Sequence, residues 1–255
     1  MFRRAIVRPP ADNFADGLTT VDLGAPDVAR ALEQHRRYGE ALERCGLELE
    51  RLAPDRRHPD STFVEDTAIV TPRGAILTRP GAPSREGEVE QIERALSRRF
   101  AALGRIEAPG TVDGGDVCDA GDHFFIGISR RTNAEGARQL AGRLAALGYS
   151  SSEVDIRGIP GILHLKSGIA AVGERLVAWR ALADHPALAS REKLVVDADE
   201  SYAANCVEVN GALLVAAGFP RLEAAARGLG LETIVLDMSE FEKMDGGLSC
   251  LSLRY

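Results

Sequence analysis

Residues 63–100 read FVEDTAIVTPRGAILTRPGAPSREGEVEQIERALSRRF. A short apolar run, Ala68-Ile69-Val70, meets turn residues at Pro72-Arg73-Gly74, and a second run, Ala75-Ile76-Leu77, follows. Two such runs joined by a tight turn predict a hairpin. Val89, Ile92, Leu96 and Phe100 then recur at spacings of three and four, the period of one helix face. The unit is therefore a strand hairpin feeding a helix.

The same order recurs along the chain. In residues 111–148 the turn is Asp119-Ala120-Gly121-Asp122, and a helix runs from Asn133, a good N-cap, to a stop at Gly148. Its apolar face is Leu140, Leu144 and Leu147. A weaker copy spans 163–179 with a turn at Gly173-Glu174, and another spans 205–230 with Asn210-Gly211, a strong hairpin signal. One further strand closes each unit: RIEAPG, SSEVDIRG, KLVVDA and ETIVLDMS. The opening residues fit as a strand RRAIVRP, a helix from Asp27 to Cys45 and a strand LELERLA. Five strand-hairpin–helix–strand units result, the first and last sharing strands across the termini. Alternating β and α elements predict an α/β fold. A repeat that closes head to tail predicts a ring, a five-bladed pseudo-symmetric α/β propeller with its helices outside. No Ser/Pro/Gly-rich linker interrupts residues 1–255, which are expected to form a single catalytic domain.

Bulk properties narrow the partners. The 255 residues are 45% hydrophobic and 27% charged, ordinary for a globular protein, and the formal charge is −7. That balance argues against nucleic acid and anionic membranes, which need a clustered basic surface. Cys45, Cys118, Cys206 and Cys250 form no C-x-x-C pair, so zinc and dithiol signatures are absent. The opening MFRRAIVRPPADNF lacks a signal-peptide apolar core, and no window approaches the ~18 apolar residues of a membrane span. A cytoplasmic protein with reduced thiols is expected.

The repeat also predicts a site. Glu65-Asp66, Asp113 with Asp116, His164 and Asn205 each lie just before the first hairpin strand of their unit, and DGGLSCLSLRY at 245–255 adds Asp245 and Cys250. In a ring these positions converge near the axis. A lone cysteine usually packs as a small hydrophobe, and Cys45, Cys118 and Cys206 are assigned to packing. Cys250 stands apart because glycines, which often mark close approach to a ligand, precede it. His164, between Leu163 and Leu165, points to the opposite face from them; such a histidine is often only structural. Asp60, Glu65, Asp66, Asp113 and Asp116 would repel one another in a cleft unless a cation entered. A guanidinium would satisfy them by paired, charge-assisted hydrogen bonds. A carboxylate on the same substrate would need basic partners, and Arg85 and Arg131 stand in loops preceding helices.

The segments DGLTT, HPDSTFVEDTAIV, TRPGAPSREGE, EAPGTVDGGDV, RTNAEGA, LHLKS, SYAANC and EKMDGGLSC together resemble the dimethylarginine dimethylaminohydrolases, collinearly from about Leu18 to Cys250. That family lies in the guanidine-modifying superfamily with the pentein fold. The resemblance implies hydrolysis of Nω-methylated arginines to citrulline and methylamine or dimethylamine. It implies Cys250 as nucleophile, His164 as general acid/base and Asp113 as the acid orienting that histidine. Some members carry glutamate at this last place, so Asp113 is a departure by one methylene. It further implies Asp60, Glu65 and Asp66 near the guanidinium, Arg85 and Arg131 as carboxylate clamps, the carbonyls of Leu18 and Met244 as acceptors for the α-ammonium, and Asp245 close to the nucleophile.

No metal or organic cofactor is expected, because thiol and imidazole supply the covalent and proton-transfer steps. The expected partner is a small methylated arginine, with homodimerisation left open. The alternatives are an arginine or agmatine deiminase releasing ammonia, an amidinotransferase, or a non-catalytic pentein binding a large partner.

Overall fold

The computed structural model describes residues 1–255. Strand β1 (Arg4–Val7) leads to helix α1 (Val28–Arg44) and strand β2 (Glu48–Arg51). Asp27 caps α1 by accepting the Arg30 backbone N–H at 3.1 Å, and Ala31, Tyr38, Ala41 and Leu42 form its buried face. Hairpin β3 (Ala68–Thr71) and β4 (Gly74–Leu77) is followed by α2 (Val89–Ser97) and β5 (Leu103–Arg105). The third unit is β6 (Val117–Asp119), β7 (His123–Ile128), α3 (Ala134–Ala146) and β8 (Ser150–Asp155). The fourth is β9 (Ile169–Val172), β10 (Arg175–Trp179), α4 (Arg180–Ala183) and β11 (Lys193–Val196). The fifth is β12 (Val207–Val209), β13 (Ala212–Ala216), α5 (Pro220–Gly228) and β14 (Glu232–Leu236), after which a short α6 (Ser239–Glu242) leads to β15 (Leu253–Arg254).

The strands form five three-stranded sheets. In each, an antiparallel pair shares its middle strand with a parallel closing strand. The first sheet, in the order β15-β1-β2, joins the two ends of the chain as the repeat requires. Asn210 and Gly211 turn the β12–β13 hairpin with φ of 52° and 93°, the two positive values a type I′ turn demands.

Three local expectations shift. β5 ends at Arg105, so RIEAPG mostly leaves the sheet: Pro109 has no ladder donor, and Gly110 N–H turns back to the Glu107 carbonyl at 2.9 Å. Phe100 falls just past α2 and packs near Tyr255, with ring centroids 6.0 Å apart. α4 is a single turn, because Pro186, in the three-residue helix that follows, cannot continue an α-helical ladder.

Five apolar clusters hold neighbouring sheets together. Ile6 and Leu253 pack with Leu77 and Ile92; Ile69 and Ile76 with Ile126 and Leu140; Phe125 and Val154 with Ile169 and Leu176; Val172 and Val177 with Leu213 and Val215; and Val209 and Leu214 with Ala5 and Val7. Each fully buried large side chain contributes roughly 1.5–3 kcal/mol. Every sheet therefore has two neighbours, which is the condition for a closed ring.

Hydrogen bonds close the ring a second time at its centre. A short 3-10 turn precedes the first hairpin strand of each unit: Val64–Thr67, Gly114–Asp116, Leu165–Ser167, Ala198–Ala204 and Ser249–Leu251. Gly115 N–H donates to Asp66, Leu165 N–H to Asp116, the Asn205 side chain to the Lys166 carbonyl and Ser249 Oγ, and Ser249 Oγ to Glu65. The chemistry-bearing residues sit on this inner circle. The chain thus adopts a pseudo-symmetric five-repeat α/β fold.

Candidate active site

The segment 245–250 shows why two glycines precede the thiol. Asp245 has φ 57° and fastens the loop beyond Leu18, accepting Thr20 N–H at 2.5 Å and Thr20 Oγ1–H at 3.0 Å. A Cβ on Gly246 would lie 2.2 Å from the Phe63 ring, and one on Gly247 would lie 2.5 Å from Asn205 Oδ1. Side chains there would push the turn away from the axis. Cys250 follows, with its N–H bonded to the Gly247 carbonyl at 3.2 Å.

Cys250, His164, Leu18, Asp60, Asp66, Arg85, Arg131, Met244 and Asp245 line one narrow pit, together with Phe63, Leu163 and Gly246. Its free volume is about 20 Å³, room for roughly one water. The loop over it is held shut by the Asp245–Thr20 bonds and by Thr19 Oγ1 donating to the Lys243 carbonyl at 2.9 Å.

His164 Nε2 meets Asp113 Oδ2 at 3.0 Å, while Asp113 Oδ1 accepts Gly81 N–H at 2.7 Å. The shorter aspartate therefore still reaches the imidazole. Burial opposes a charged ring, but Asp66, Asp116 and Asp113 outweigh it and raise His164 to about 9. The buried Cys250 thiol is pushed up to about 12 by burial and by Glu65 and Asp66, with Gly247 and Lys166 opposing. At neutral pH the empty pit therefore pairs an imidazolium with a thiol.

Asp66 is also buried. Burial pushes its carboxyl up, yet Arg85 and His164 prevail and hold it at about 2. Its Oδ2 accepts Arg85 Nη1–H at 2.6 Å and its Oδ1 accepts Gly115 N–H at 2.8 Å. Arg85 is further bound to both Glu88 oxygens, at 2.9 and 2.8 Å, and to the Phe63 carbonyl at 3.1 Å. It is thus a buried brace on Asp66 rather than a rim arginine. Arg131 differs: its Nη1 is buried without a hydrogen-bond partner, 3.9 Å from Asp113. Asp60 accepts Leu18 N–H at 3.0 Å, and burial raises its carboxyl.

Glu65 does not line the pit. It turns to the other side of the inner circle, pairing with Lys166 at 2.6 Å and accepting Ser249 Oγ–H at 2.7 Å. There it borders a larger cavity of about 420 Å³, with Cys118, Cys206 and Arg254 and neither Cys250 nor His164. Its neighbour Asp66, one step further along the same 3-10 turn, takes the opposite face.

Asp116 is among the acids expected to converge near the axis, but the sequence gives it no separate role. Asp116 is fully buried, accepts Leu165 N–H at 2.9 Å and Ser129 Oγ–H at 2.6 Å, and is raised to about 6 by burial. It holds the turn that carries His164. The available signal was the second acid of TVDGGD, three residues after Asp113.

Gly115 supplies a test of this packing. A Cβ there would stand 2.9 Å from His164 Cγ, His164 Nδ1 and Asp66 Oδ1. Gly115→Ala is expected to displace both side chains and lower kcat by about 10²-fold, the cost of a misplacement near 1 Å. Turnover measured beside thermal melting checks it, with lost activity expected in a protein that remains folded.

A cysteine and a carboxylate-held imidazole in an acid-walled pit, at the centre of a five-repeat α/β ring, define a thiol-dependent enzyme for a cationic planar substrate. No protein-family model matches the chain. A dimethylarginine dimethylaminohydrolase from Pseudomonas aeruginosa is 47% identical, covering all of both chains, and one from Streptomyces coelicolor is 38% identical over 99% of this chain and 96% of the relative. The solved structure of the Pseudomonas enzyme, as a cysteine-to-serine variant complexed with citrulline, superposes with a TM-score of 0.96 at 46% identity over all of both chains. The chain belongs to the dimethylarginine dimethylaminohydrolase family. No helix in it is long and apolar enough to cross a membrane.

Proposed function

We infer that the chain is a dimethylargininase, hydrolysing Nω-methylated arginines to citrulline and dimethylamine or methylamine. Residues 1–255 act as one catalytic domain, with Cys250 as nucleophile, His164 as proton carrier and Asp113 as its orienting acid. The observation that carries these roles is the carboxylate-held His164 facing the same pit as the Cys250 thiol.

In the empty enzyme the thiol, at about 12, is almost wholly protonated. A guanidinium entering between the acids adds a positive charge beside it and favours thiolate, the thiol proton passing to solvent as substrate binds and returning when thiolate is regenerated. Asp66 still has free lone pairs for substrate N–H groups, since a carboxylate offers about four acceptor sites. The thiolate then adds to the guanidinium carbon, giving a neutral tetrahedral adduct. With Nε2 engaged by Asp113, His164 gives its Nδ1 proton to the dialkylated nitrogen. The C–N bond breaks, neutral amine leaves, and an S-alkylthiouronium remains on Cys250. His164 next takes a proton from water as the oxygen adds to the same carbon. Collapse breaks the C–S bond and frees citrulline, thiolate and one proton, which replaces in solvent the one taken up by the departed amine.

At the other end of the substrate, the unpartnered Arg131 Nη1 is the donor for the α-carboxylate, and Arg85 adds charge from behind while bracing Asp66. The carbonyls of Leu18 and Met244 receive the α-ammonium, and Asp60 and Asp245 keep the loop that bears Leu18 in place. The nearly closed pit requires that loop to open for each turnover. Arg131→Ala is expected to raise KM about 10- to 100-fold with a smaller effect on kcat, since a charge-assisted hydrogen bond present before and after the chemical step is lost. A similar KM for wild type and variant would remove the clamp assignment.

A colorimetric citrulline assay on dimethylarginine, monomethylarginine and arginine, with amine and ammonia measured in parallel, tests the function. Methylated substrates should yield citrulline and alkylamine in equal amounts. Fastest turnover on arginine, with ammonia as coproduct, would make the chain a deiminase.

A further inference from the structure

A cavity of about 220 Å³ adjoins the catalytic pit on the side of the 245–250 turn. Trp179, Tyr202 and Glu242 line it, and the exposed Val21 and Leu23 of the loop beyond Leu18 border it. Leu163, Asp245 and Gly246 belong to the walls of both cavities, so they form the partition between them. The Tyr202 hydroxyl donates to the Gly246 carbonyl at 2.8 Å, tying the far wall to that partition.

The lining has a definite chemical character. It includes two carboxylates, Glu242 and Asp245, two large aromatic rings, and no lysine, arginine or histidine. The Asp245 oxygens are occupied by Thr20. Glu242 is half-buried, and burial raises its carboxyl with no cation or donor pulling it back. Glu242 and the Tyr202 ring line the same chamber. Such a chamber disfavours a carboxylate-bearing molecule and suits a small organic cation, held by charge on one side and by aromatic faces on the other.

Resting on the hydrolase reading above, we propose that this cavity is an exit subsite that takes the leaving alkylamine as a small alkylammonium ion. The two products differ in the property the chamber sorts. Citrulline carries an α-carboxylate, for which Arg131 stands in the main pit. The amine carries none and, as a free base at neutral pH, takes a proton from solvent in the chamber as it leaves, a proton that the later hydrolysis returns to solvent. Moving it past the partition clears the carbon for water while the amino acid end stays clamped. Because the C–N cleavage is reversible until water attacks, removal of the amine also commits the intermediate to hydrolysis.

The test uses the full chain and dimethylammonium chloride, with sodium chloride at equal ionic strength as control. Binding is read by ligand-observed NMR on Cys250→Ser protein, so the result stands whether or not the wild type turns over dimethylarginine. The subsite predicts saturable binding that persists when citrulline fills the main pit. Glu242→Gln, an isosteric change at a carboxylate without partners, should weaken that binding about fivefold. Glu242→Lys should abolish it. In the otherwise wild-type enzyme the same substitutions should relieve product inhibition by dimethylammonium to the same degree, with KM for dimethylarginine unchanged. Binding that citrulline displaces completely, that neither substitution alters, or that does not exceed the sodium control would overturn the proposal. Absence of citrulline formation by the wild type would instead count against the hydrolase reading.

Discussion

Cys250→Ser is expected to lower citrulline formation by about 10⁴-fold or more, the scale on which loss of a covalent nucleophile falls. A guanidinium is a poor electrophile because its charge is shared among three nitrogens, and a serine hydroxyl ionises far less readily than a thiol. The pit favours neither anion without help: burial, Glu65 and Asp66 already raise the thiol to about 12. Substrate charge can bring a thiol within reach of ionisation, but an alcohol starts several units further away. Binding should change by no more than about threefold, because the groups proposed to hold the substrate are untouched and the replaced atom makes only one polar contact, 3.9 Å to Ser249 Oγ. Single-turnover citrulline release and calorimetric titration of dimethylarginine separate the two effects. Cys118→Ser and Cys206→Ser serve as controls. Both thiols are pushed to about 12 by burial, but they face the other cavity and are expected to leave the rate intact. Ordinary turnover by Cys250→Ser would assign the nucleophile elsewhere.

The difference between these cysteines was partly legible before any coordinates. The repeat placed Cys250 among the positions that converge near the axis, and the glycines before it signalled close approach, which Phe63 and Asn205 supply. Hairpins with strong turn chemistry were located closely, as at Asn210-Gly211, and helices with good caps to within about a residue, as at Asp27 and Asn133. RIEAPG was misplaced because apolar pattern alone does not reveal where a strand loses its ladder partner. The facing of adjacent acids was the larger gap. Glu65 and Asp66 look equivalent in sequence, yet a one-residue step inside a 3-10 turn sends one to Lys166 and the other to Arg85. The same limit hid the bracing of Arg85 by Glu88, since three-residue spacing implies proximity only once the turn is known to be helical. Long-range pairings carry the site, and local pattern does not encode them.

The inner circle gives these pairings a shared logic. Each turn of the circle is bonded to a turn of a neighbouring unit, so the backbone that carries the catalytic side chains is fixed from outside its own unit. Asp116 illustrates this: it stands in the third unit and fixes the Leu165 N–H of the fourth, one residue from the imidazole. Preorganisation here is a property of the ring rather than of any loop.

His164→Ala is expected to reduce kcat by roughly 10²–10⁴, because one side chain moves the proton in both halves of the reaction. The pH dependence distinguishes this from a packing defect. The wild-type ring is raised to about 9, above its unfolded value of 6.5, by Asp66, Asp116 and Asp113 acting against burial. Its charge therefore stabilises the fold fully below about pH 6.5, and that contribution disappears as pH rises through about 9. The same deprotonation removes the acid needed to expel the amine, so kcat/KM for dimethylarginine should fall on a basic limb near pH 9. In His164→Ala that limb should vanish, and free imidazole should restore part of the rate while the cavity it enters remains. Asp113→Asn should keep the limb but move it to lower pH, because a neutral amide no longer favours the charged ring across the 3.0 Å contact. An unchanged limb in His164→Ala, or a near-normal rate at neutral pH, would transfer the proton-carrying role to another group.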